Sequence, residues 1–346
     1  MIRPLTSLRF FAALLVYANH TDVSAPWHHW ADSHRLGAAG VAFFFVLSGF
    51  ILTYSHRADF ATGITWDATR AFWAARFARI FPLQYVTFFG MIIAAFVGIY
   101  TFSIPPGGCR TWCIGSQLTL TQAWSFWDWN VTSSFNAPAW TISDETFFYA
   151  VFPIAAWLIL RRTRRPQIYL ACAAGVFLLI TVAQTIGQQW TQTWPFFYYL
   201  PPLRLPEFLV GMLVAAAFGS RARNAGAWAN LLEPLALVAI AGVLVFAEPV
   251  PLGWLIPFAA FAIWTFASGG GWLSRLLTLG PFVYLGEISF AFYMVHHILV
   301  IGLPHNWLVL PYSLALSALL YHVAESPARR VLRSFLSAPR PVVRTA

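Results

Sequence analysis

The stretch Leu8–His20, LRFFAALLVYANH, places an arginine and a histidine inside an otherwise apolar segment. Arg9 and His20 are 11 residues apart. On a helix they would therefore lie within about 20° of each other and about 16 Å apart along the axis. A charged residue near the centre of a membrane helix costs about 2.5–3.5 kcal/mol. Two polar groups on one face therefore indicate a functional path into a membrane.

The composition around this stretch is that of a polytopic helical membrane protein. Of the 346 residues, 59% are hydrophobic and 10% are charged, whereas a soluble domain has about 25% charged residues. Apolar segments of membrane-spanning length predict an all-α transmembrane bundle, with a membrane domain over 1–335 and a short cytoplasmic tail over 336–346. The ten predicted spanning helices cover 5–22, 37–56, 80–101, 136–160, 167–187, 195–218, 231–247, 252–268, 281–303 and 307–325.

The arginines are concentrated in alternate loops. All 21 basic residues are arginine, and they cluster after the predicted helices two, four, six, eight and ten. The opposite loops hold only Arg35 and Arg110. By the positive-inside rule, this alternation predicts an even number of spans with both termini in the cytoplasm. We therefore attribute the net charge of +9 to membrane topology and expect a lipid bilayer, with no nucleic acid, as partner.

Two further predicted helices carry charged residues. Asp144 and Glu145 lie near the outer end of helix four, in PAWTISDETFFY. Only one of two adjacent residues can point straight into a bundle, and we favour Glu145. Helix six contains LRLPEFLVG, in which Arg204 and Glu207 are three residues apart and can pair on one face. A structural ion pair and a functional site are equal alternatives for this pair.

Polar groups also occur toward the end of the chain and in the first arginine-rich loop. Helix nine carries His296 and His297, and helix ten ends near Glu325, before a proline that helps to stop it. The loop between helices two and three contains RFARIFP. Its Arg76 and Arg79 can bind phosphate through charge-assisted hydrogen bonds, or they can act as topological anchors alone.

The outer loop over 102–135 holds Cys109 and Cys113, which can form a disulfide in an oxidising compartment or remain free thiols. Histidines crowd the first outer loop, but the chain has no HExxH motif and no Cys/His framework. We therefore expect no metal site.

Taken together, these segments resemble the acyltransferase-3 family of integral-membrane acyltransferases, of the polysaccharide O-acetyltransferase type. LTSLRFFAALLVYANH, FFFVLSGFIL, RFARIFPL, PAWTISDETFFY, LRLPEFLVG, LGEISFAFYMVHH and AESPARR follow the family's order. Three functional motifs of the family fall on Arg9 and His20, on Arg76 and Arg79, and on Trp140, Ser143 and Glu145. The family's helix-nine histidine falls on His296. Arg204, Glu207 and Glu325 complete the set of candidate residues for the interior of the bundle.

The resemblance implies transfer of an acetyl or other short acyl group from cytoplasmic acyl-CoA to a hydroxyl of a cell-surface or exopolysaccharide sugar, free or lipid-linked. Acetyl-CoA is the expected donor, and a bacterial cytoplasmic (inner) membrane is the expected location. Arg76 and Arg79 would dock the donor, and Arg9 would meet its pantetheine arm or a phosphate. His20 would act as general base, with Glu145 orienting its imidazole.

Two other functions compete with this one. An acyltransferase for a small hydroxylated metabolite, such as a macrolide, would use the same chemistry on a different acceptor. A secondary transporter would also combine a polar core with proline-broken helices. We rank the transporter lower, because transport does not require an arginine pair beside the Arg9 and His20 helix.

Overall fold

The computed structural model describes residues 2–21, 36–98, 110–162, 164–188, 194–219, 226–246, 252–303 and 308–337. Over these ranges the protein is all-helical, with no strand. A helix forms in each of the ten predicted segments, and one more follows them. The main helices are α1 (Arg3–His20), α2 (Leu36–Ser55), α3 (Trp66–Phe96), α4 (Trp140–Leu160), α5 (Pro166–Gln188), α6 (Pro201–Phe218), α7 (Ala229–Phe246), α8 (Leu255–Ser268), α9 (Gly280–Gly302), α10 (Val309–Leu320) and α11 (Ser326–Ser337).

Six helices in the described part of the chain are long and apolar enough to cross a membrane. They are α2, α3, α4 with its preceding turn, α5, α6 and α9, while α7 and α8 are apolar but shorter. The prediction of a multi-pass helical protein is therefore confirmed. The count of ten spans and the cytoplasmic location of both termini stay predictions.

Helix α3 begins at Trp66, well before the predicted start at residue 80. The prediction that Arg76 and Arg79 lie in a loop is therefore wrong. The Thr65 side chain caps this helix by accepting a hydrogen bond from the Ala68 backbone N–H at 3.3 Å, and Asp67 in the first turn favours the same start. The arginine-rich segment before residue 80 lacks the apolar run that predicts a spanning helix. The hydrophobic pattern therefore did not predict that it is helical.

The end of the helical region also differs from the prediction. A proline was expected to help stop the last helix. Instead, α10 passes through a π-helical turn, Tyr321–Glu325, into the additional helix α11. Pro327 is the second residue of α11 and directly follows the π-helical turn. The helical run therefore continues past the proline, and α11 packs against α3.

Close backbone packing holds the centre of the bundle together. A Cβ atom added at Gly49 would lie 2.0 Å from the Phe208 carbonyl oxygen, and one added at Gly211 would lie 2.0 Å from that of Val46. Helices α2 and α6 therefore touch backbone to backbone, as small residues allow in membrane proteins. A Cβ atom at Gly286 would lie 2.0 Å from the Thr6 carbonyl oxygen, which brings α9 equally close to α1.

Candidate active site

A cavity of about 310 Å³ lies between α1, α2, α3, α4 and α9, with α11 contributing one residue. Ligand pockets commonly have volumes of about 300–1,000 Å³. The charged residues that line it in the described part of the chain are Arg9, Arg76, Arg79, Glu145 and Arg329. The structure therefore gathers four residues that the sequence singled out, from three separate helices, around one space.

The charges around this cavity are strongly unbalanced. Glu145 accepts a hydrogen bond from Tyr149 Oη at 2.9 Å and interacts electrostatically with Arg79, Arg9 and Arg76. Beside the cavity, Glu325 pairs with Arg329. Two carboxylates against four guanidinium groups still leave an excess of positive charge, and charges removed from water need counter-charges. Guanidinium groups bind phosphate through paired, charge-assisted hydrogen bonds. The cavity is therefore suited to a ligand that carries several negative charges.

Arg329 is a site residue that the sequence analysis missed. It lies in α11, forms an ion pair with Glu325 and lines the cavity. Burial and the nearby Arg79 guanidinium lower the pKa of Arg329 to about 10, so it remains cationic at neutral pH. In the sequence, this arginine belongs to a cluster that membrane topology alone explains. Its position four residues after Glu325, a spacing typical of helical ion pairs, is the signal that could have identified it.

A pair of imidazoles joins α1 to α9. His20 Nδ1 lies 3.1 Å from His296 Nε2, and His296 Nδ1 lies 3.2 Å from the Phe292 carbonyl oxygen one helical turn earlier. His296 is completely buried, whereas His20 is partly exposed. The ring of His297 packs edge-on against His20 at 4.9 Å between centroids. His20 therefore has a hydrogen-bonding partner that the sequence analysis did not assign to it.

Tyr293 lies between the cavity and this histidine pair. It lines the cavity, and its ring centroid is 5.8 Å from that of His296. Its hydroxyl donates a hydrogen bond to the Pro138 carbonyl at 3.0 Å and accepts one from Thr141 at 3.0 Å. Arg9 is among the described residues that line the cavity, and His20 is not. Tyr293 thus lines the same cavity as Arg9 and contacts the imidazole that is hydrogen-bonded to His20.

Arg204 and Glu207 form a separate buried cluster. Arg204 Nη2 lies 3.1 Å from Glu207 Oε2, and both residues are buried. The Arg204 guanidinium carbon is also 5.2 Å, 5.8 Å and 5.5 Å from the ring centroids of Phe45, Trp140 and Tyr198. Neither charged residue is among the described residues that line the cavity. This geometry is that of an ion pair that holds α2, α4 and α6 together.

The remaining helix-four residues point into the protein. Ser143 and Asp144 are buried at 1% and 0% exposure, and within the described residues neither the serine hydroxyl nor the two carboxylate oxygens have a hydrogen-bond partner. Asp144 interacts electrostatically with Arg204. The adjacent Glu145 lines the cavity. The prediction that only one of these two carboxylates points into the bundle is wrong, because Asp144 is fully buried as well. The described hydrogen bond of Glu145 is with Tyr149, and His20 is hydrogen-bonded to His296.

Some predicted features lie outside the described residues. The histidines of the first outer loop, at 28, 29 and 34, are among them, because the structure describes no residue between 21 and 36. Cys109, for which a disulfide with Cys113 and a free thiol were the two alternatives, also lies outside the described residues. Cys113 is itself disulfide-bonded, and Cys172 is a free thiol. Within the described residues, no group of three or more histidine, cysteine, aspartate or glutamate side chains could hold a metal ion.

Comparison with known proteins identifies the family to which this chain belongs. A family model for the acyltransferase-3 group, described as an acyltransferase domain, matches residues 4–322, a range that runs from the first turn of α1 into the π-helical turn. This chain belongs to the acyltransferase-3 family. It is therefore an acyltransferase and a multi-pass membrane protein.

Named relatives of the acyltransferase come from several bacteria. Acyltransferase MdmB of Streptomyces mycarofaciens is 30% identical over 97% of this chain and 95% of the relative. Peptidoglycan O-acetyltransferase OatA of Listeria monocytogenes is 24% identical over 93% of this chain, and putative peptidoglycan O-acetyltransferase YrhL of Bacillus subtilis is 24% identical over 96%. The acyltransferase spans 55% of the length of each peptidoglycan relative. No solved structure matches it.

Proposed function

We propose that the protein is an O-acetyltransferase that moves an acetyl or other short acyl group from cytoplasmic acyl-CoA to a hydroxyl of a cell-surface or exopolysaccharide sugar. The acceptor is free or lipid-linked, and the enzyme resides in the bacterial cytoplasmic membrane. The arginine-lined cavity is the observation that carries this proposal. Coenzyme A bears a diphosphate and a further phosphate. These anionic groups would form charge-assisted hydrogen bonds with the guanidinium groups that line the cavity, those of Arg9, Arg76, Arg79 and Arg329.

The position of the cavity also suits the donor. Three of its arginines come from α3 and α11, beside the segments that the charge pattern assigns to the cytoplasm. The fourth arginine, Arg9, lines the cavity from α1 and would contact the phosphates or the pantetheine arm. Tyr293 marks the end of the cavity nearest the histidine pair, so the thioester would approach His20 past this side chain.

His20 is the proposed general base. The acceptor hydroxyl oxygen forms a bond to the acyl carbonyl carbon while its proton passes to the imidazole of His20. The carbon–sulfur bond then breaks, and the departing thiolate of coenzyme A takes that proton. A neutral imidazole is suited to this exchange near pH 7. Glu145, which is hydrogen-bonded to Tyr149, would act in the donor cavity.

The proposal is tested with purified enzyme in liposomes, labelled acetyl-CoA and candidate glycans. We expect alanine at Arg76, Arg79 or Arg329 to raise the KM for acetyl-CoA by about tenfold or more, because a hydrogen bond to a charged group contributes about 1.5–3 kcal/mol. The matched controls are alanine at Arg70 and Arg330, which are exposed on the same two helices. Unchanged donor affinity in the three cavity variants would contradict the docking role.

The base is tested in the same assay. We expect His20→Ala to lower kcat by about 10²–10⁴-fold, the usual contribution of general acid–base catalysis, with the KM for acetyl-CoA little changed. Full transfer activity in this variant would eliminate His20 as the base.

A second acceptor class is favoured by the full-length match to Acyltransferase MdmB, compared with 55% coverage of the peptidoglycan O-acetyltransferases. In this alternative, the acceptor is a small hydroxylated metabolite such as a macrolide. Mass spectrometry of surface glycans from a strain lacking the gene, compared with its parent, separates the two. Loss of O-acetyl groups from a glycan supports the polysaccharide acceptor, and an unchanged glycan profile supports the metabolite.

A further inference from the structure

The hydrogen bonds of His296 determine which of its nitrogens carries a proton. Its Nδ1 atom lies 3.2 Å from the Phe292 carbonyl oxygen. A carbonyl oxygen can only accept a hydrogen bond, so Nδ1 must carry the hydrogen. In a neutral imidazole one nitrogen donates and the other accepts. His296 Nε2 therefore presents a lone pair toward α1.

The lone pair on His296 Nε2 in turn determines the tautomer of His20. Its Nδ1 atom lies 3.1 Å from His296 Nε2, and a hydrogen bond between two nitrogens needs one hydrogen. Since His296 Nε2 has none to give, His20 Nδ1 is the donor. The lone pair of His20 is consequently on Nε2, and the side chain is partly exposed. His20 also has a hydrogen bond with the Val16 backbone one helical turn earlier; a carbonyl oxygen needs a ring N–H as donor, and Nδ1–H meets that need as well.

The surroundings favour neutral rings in this pair. His296 is completely buried and packs against the rings of Phe292, Tyr293 and Tyr17. No carboxylate in the described part of the chain is hydrogen-bonded to either imidazole. A buried cation without a counter-charge is strongly unfavourable, so the resting pair carries one hydrogen on each ring.

We propose that His296 is a positioning residue that holds His20 in the tautomer with a free Nε2 lone pair. This inference rests on the proposed role of His20 as base. When the acceptor hydroxyl gives its proton to His20 Nε2, the His20 ring becomes an imidazolium. Its Nδ1–H still donates to His296 Nε2, and this hydrogen bond stabilises the charge, as a carboxylate does in the Ser-His-Asp arrangement. The proton then leaves His20 for the thiolate of coenzyme A, so His296 is unchanged by the reaction.

Two substitutions at this position test the inference in the liposome assay. His296→Leu removes the acceptor for the His20 Nδ1–H group, and we expect kcat to fall by about 10²-fold or more. The KM for acetyl-CoA should stay within about twofold, because His296 does not line the donor cavity within the described residues. His296→Gln restores an acceptor through its amide carbonyl, and it should recover at least about tenfold in kcat over the leucine variant.

His297→Leu is the matched control. His297 follows His296 on the same helix and packs against the same imidazole, but it makes no described hydrogen bond to His20, so kcat should change by less than about threefold. Thermal midpoints in detergent establish that all variants are folded. Wild-type kcat in His296→Leu, no recovery in His296→Gln, or an equal loss in His297→Leu would each overturn the inference.

The two proposals fail in different ways. An active His20→Ala variant eliminates the proposed base. An inactive His20→Ala variant with an active His296→Leu variant overturns only the positioning role of His296.

Discussion

At the scale of single residues, the stability of the protein depends on the partners of one buried cation. Arg204 is enclosed by three aromatic rings, forms an ion pair with Glu207 and interacts electrostatically with the buried Asp144. Removing the directly bonded carboxylate of Glu207 leaves the charge of Arg204 poorly compensated, which costs far more than the net contribution of the intact pair. This cluster joins three helices, so its loss should reduce the stability of the whole bundle.

We predict that Glu207→Ala destabilises the protein by about 3–5 kcal/mol, measured as a lowered unfolding midpoint in detergent. Glu207→Gln, which keeps a hydrogen-bonding oxygen, should lose less. Glu287→Ala is the control, because Glu287 is exposed on α9 and its removal should leave the midpoint almost unchanged. Equal midpoints for Glu207→Ala and Glu287→Ala would rule out a stabilising role for the buried pair.

Residue spacing within one helix predicted more of the site than contacts between helices. The 11-residue interval predicted that Arg9 and His20 share a face of α1. The hydrogen bond from His20 to His296 joins residues 276 positions apart and depends on how closely α1 approaches α9 at Gly286. Periodicity carries no information about that approach. Glu145 was consequently assigned to His20, whereas the structure places it against Tyr149.

At the scale of helices, the positions of glycines determine how closely two helix backbones can approach. Gly211 on α6 leaves no space for a side chain beside the Val46 carbonyl. By contrast, Gly175 on α5 has no neighbouring atom within 4 Å of its ideal Cβ position. The apolar pattern predicted both helices but could not distinguish these glycines, because the difference arises only when two backbones meet.

We predict that Gly211→Ala destabilises the bundle by about 1–3 kcal/mol, because the new methyl group forces α2 and α6 apart. The control Gly175→Ala should leave stability unchanged or raise it by about 0.4–1 kcal/mol, since alanine restricts the unfolded chain. Thermal unfolding of the two variants in one detergent measures the difference. A Gly211→Ala midpoint equal to that of Gly175→Ala would contradict the close packing of α2 and α6.

At the scale of the whole molecule, charge asymmetry predicts the orientation in the membrane. The arginine clusters after α2, α4, α6, α8 and α10 all predict a cytoplasmic location for that end of the bundle. The arginine-lined cavity takes arginines from the same end, through α3 and α11. If this cavity binds the donor, as we propose, one set of charges determines both the orientation and the side from which the donor enters.

We predict that green fluorescent protein fused to the C-terminus of the full chain is fluorescent, and that alkaline phosphatase fused at the same position is inactive. Both results follow if the C-terminus is cytoplasmic, because the first reporter requires the cytoplasm and the second an oxidising compartment. An active phosphatase fusion would reverse the orientation and remove coenzyme A access to the cavity.

The hydrogen-bonded Tyr293 has a consequence for the energetics of the cell. In the proposed orientation, the cavity opens toward one membrane surface and the imidazoles lie nearer the other surface. A chain of water molecules between the cavity and the imidazoles would let protons flow across the membrane. The phenol is fixed to Pro138 and Thr141 and packs between the cavity and the buried ring of His296. If donor and acceptor approach from opposite compartments, as we propose, this phenol would limit proton leakage across the bilayer in the resting enzyme.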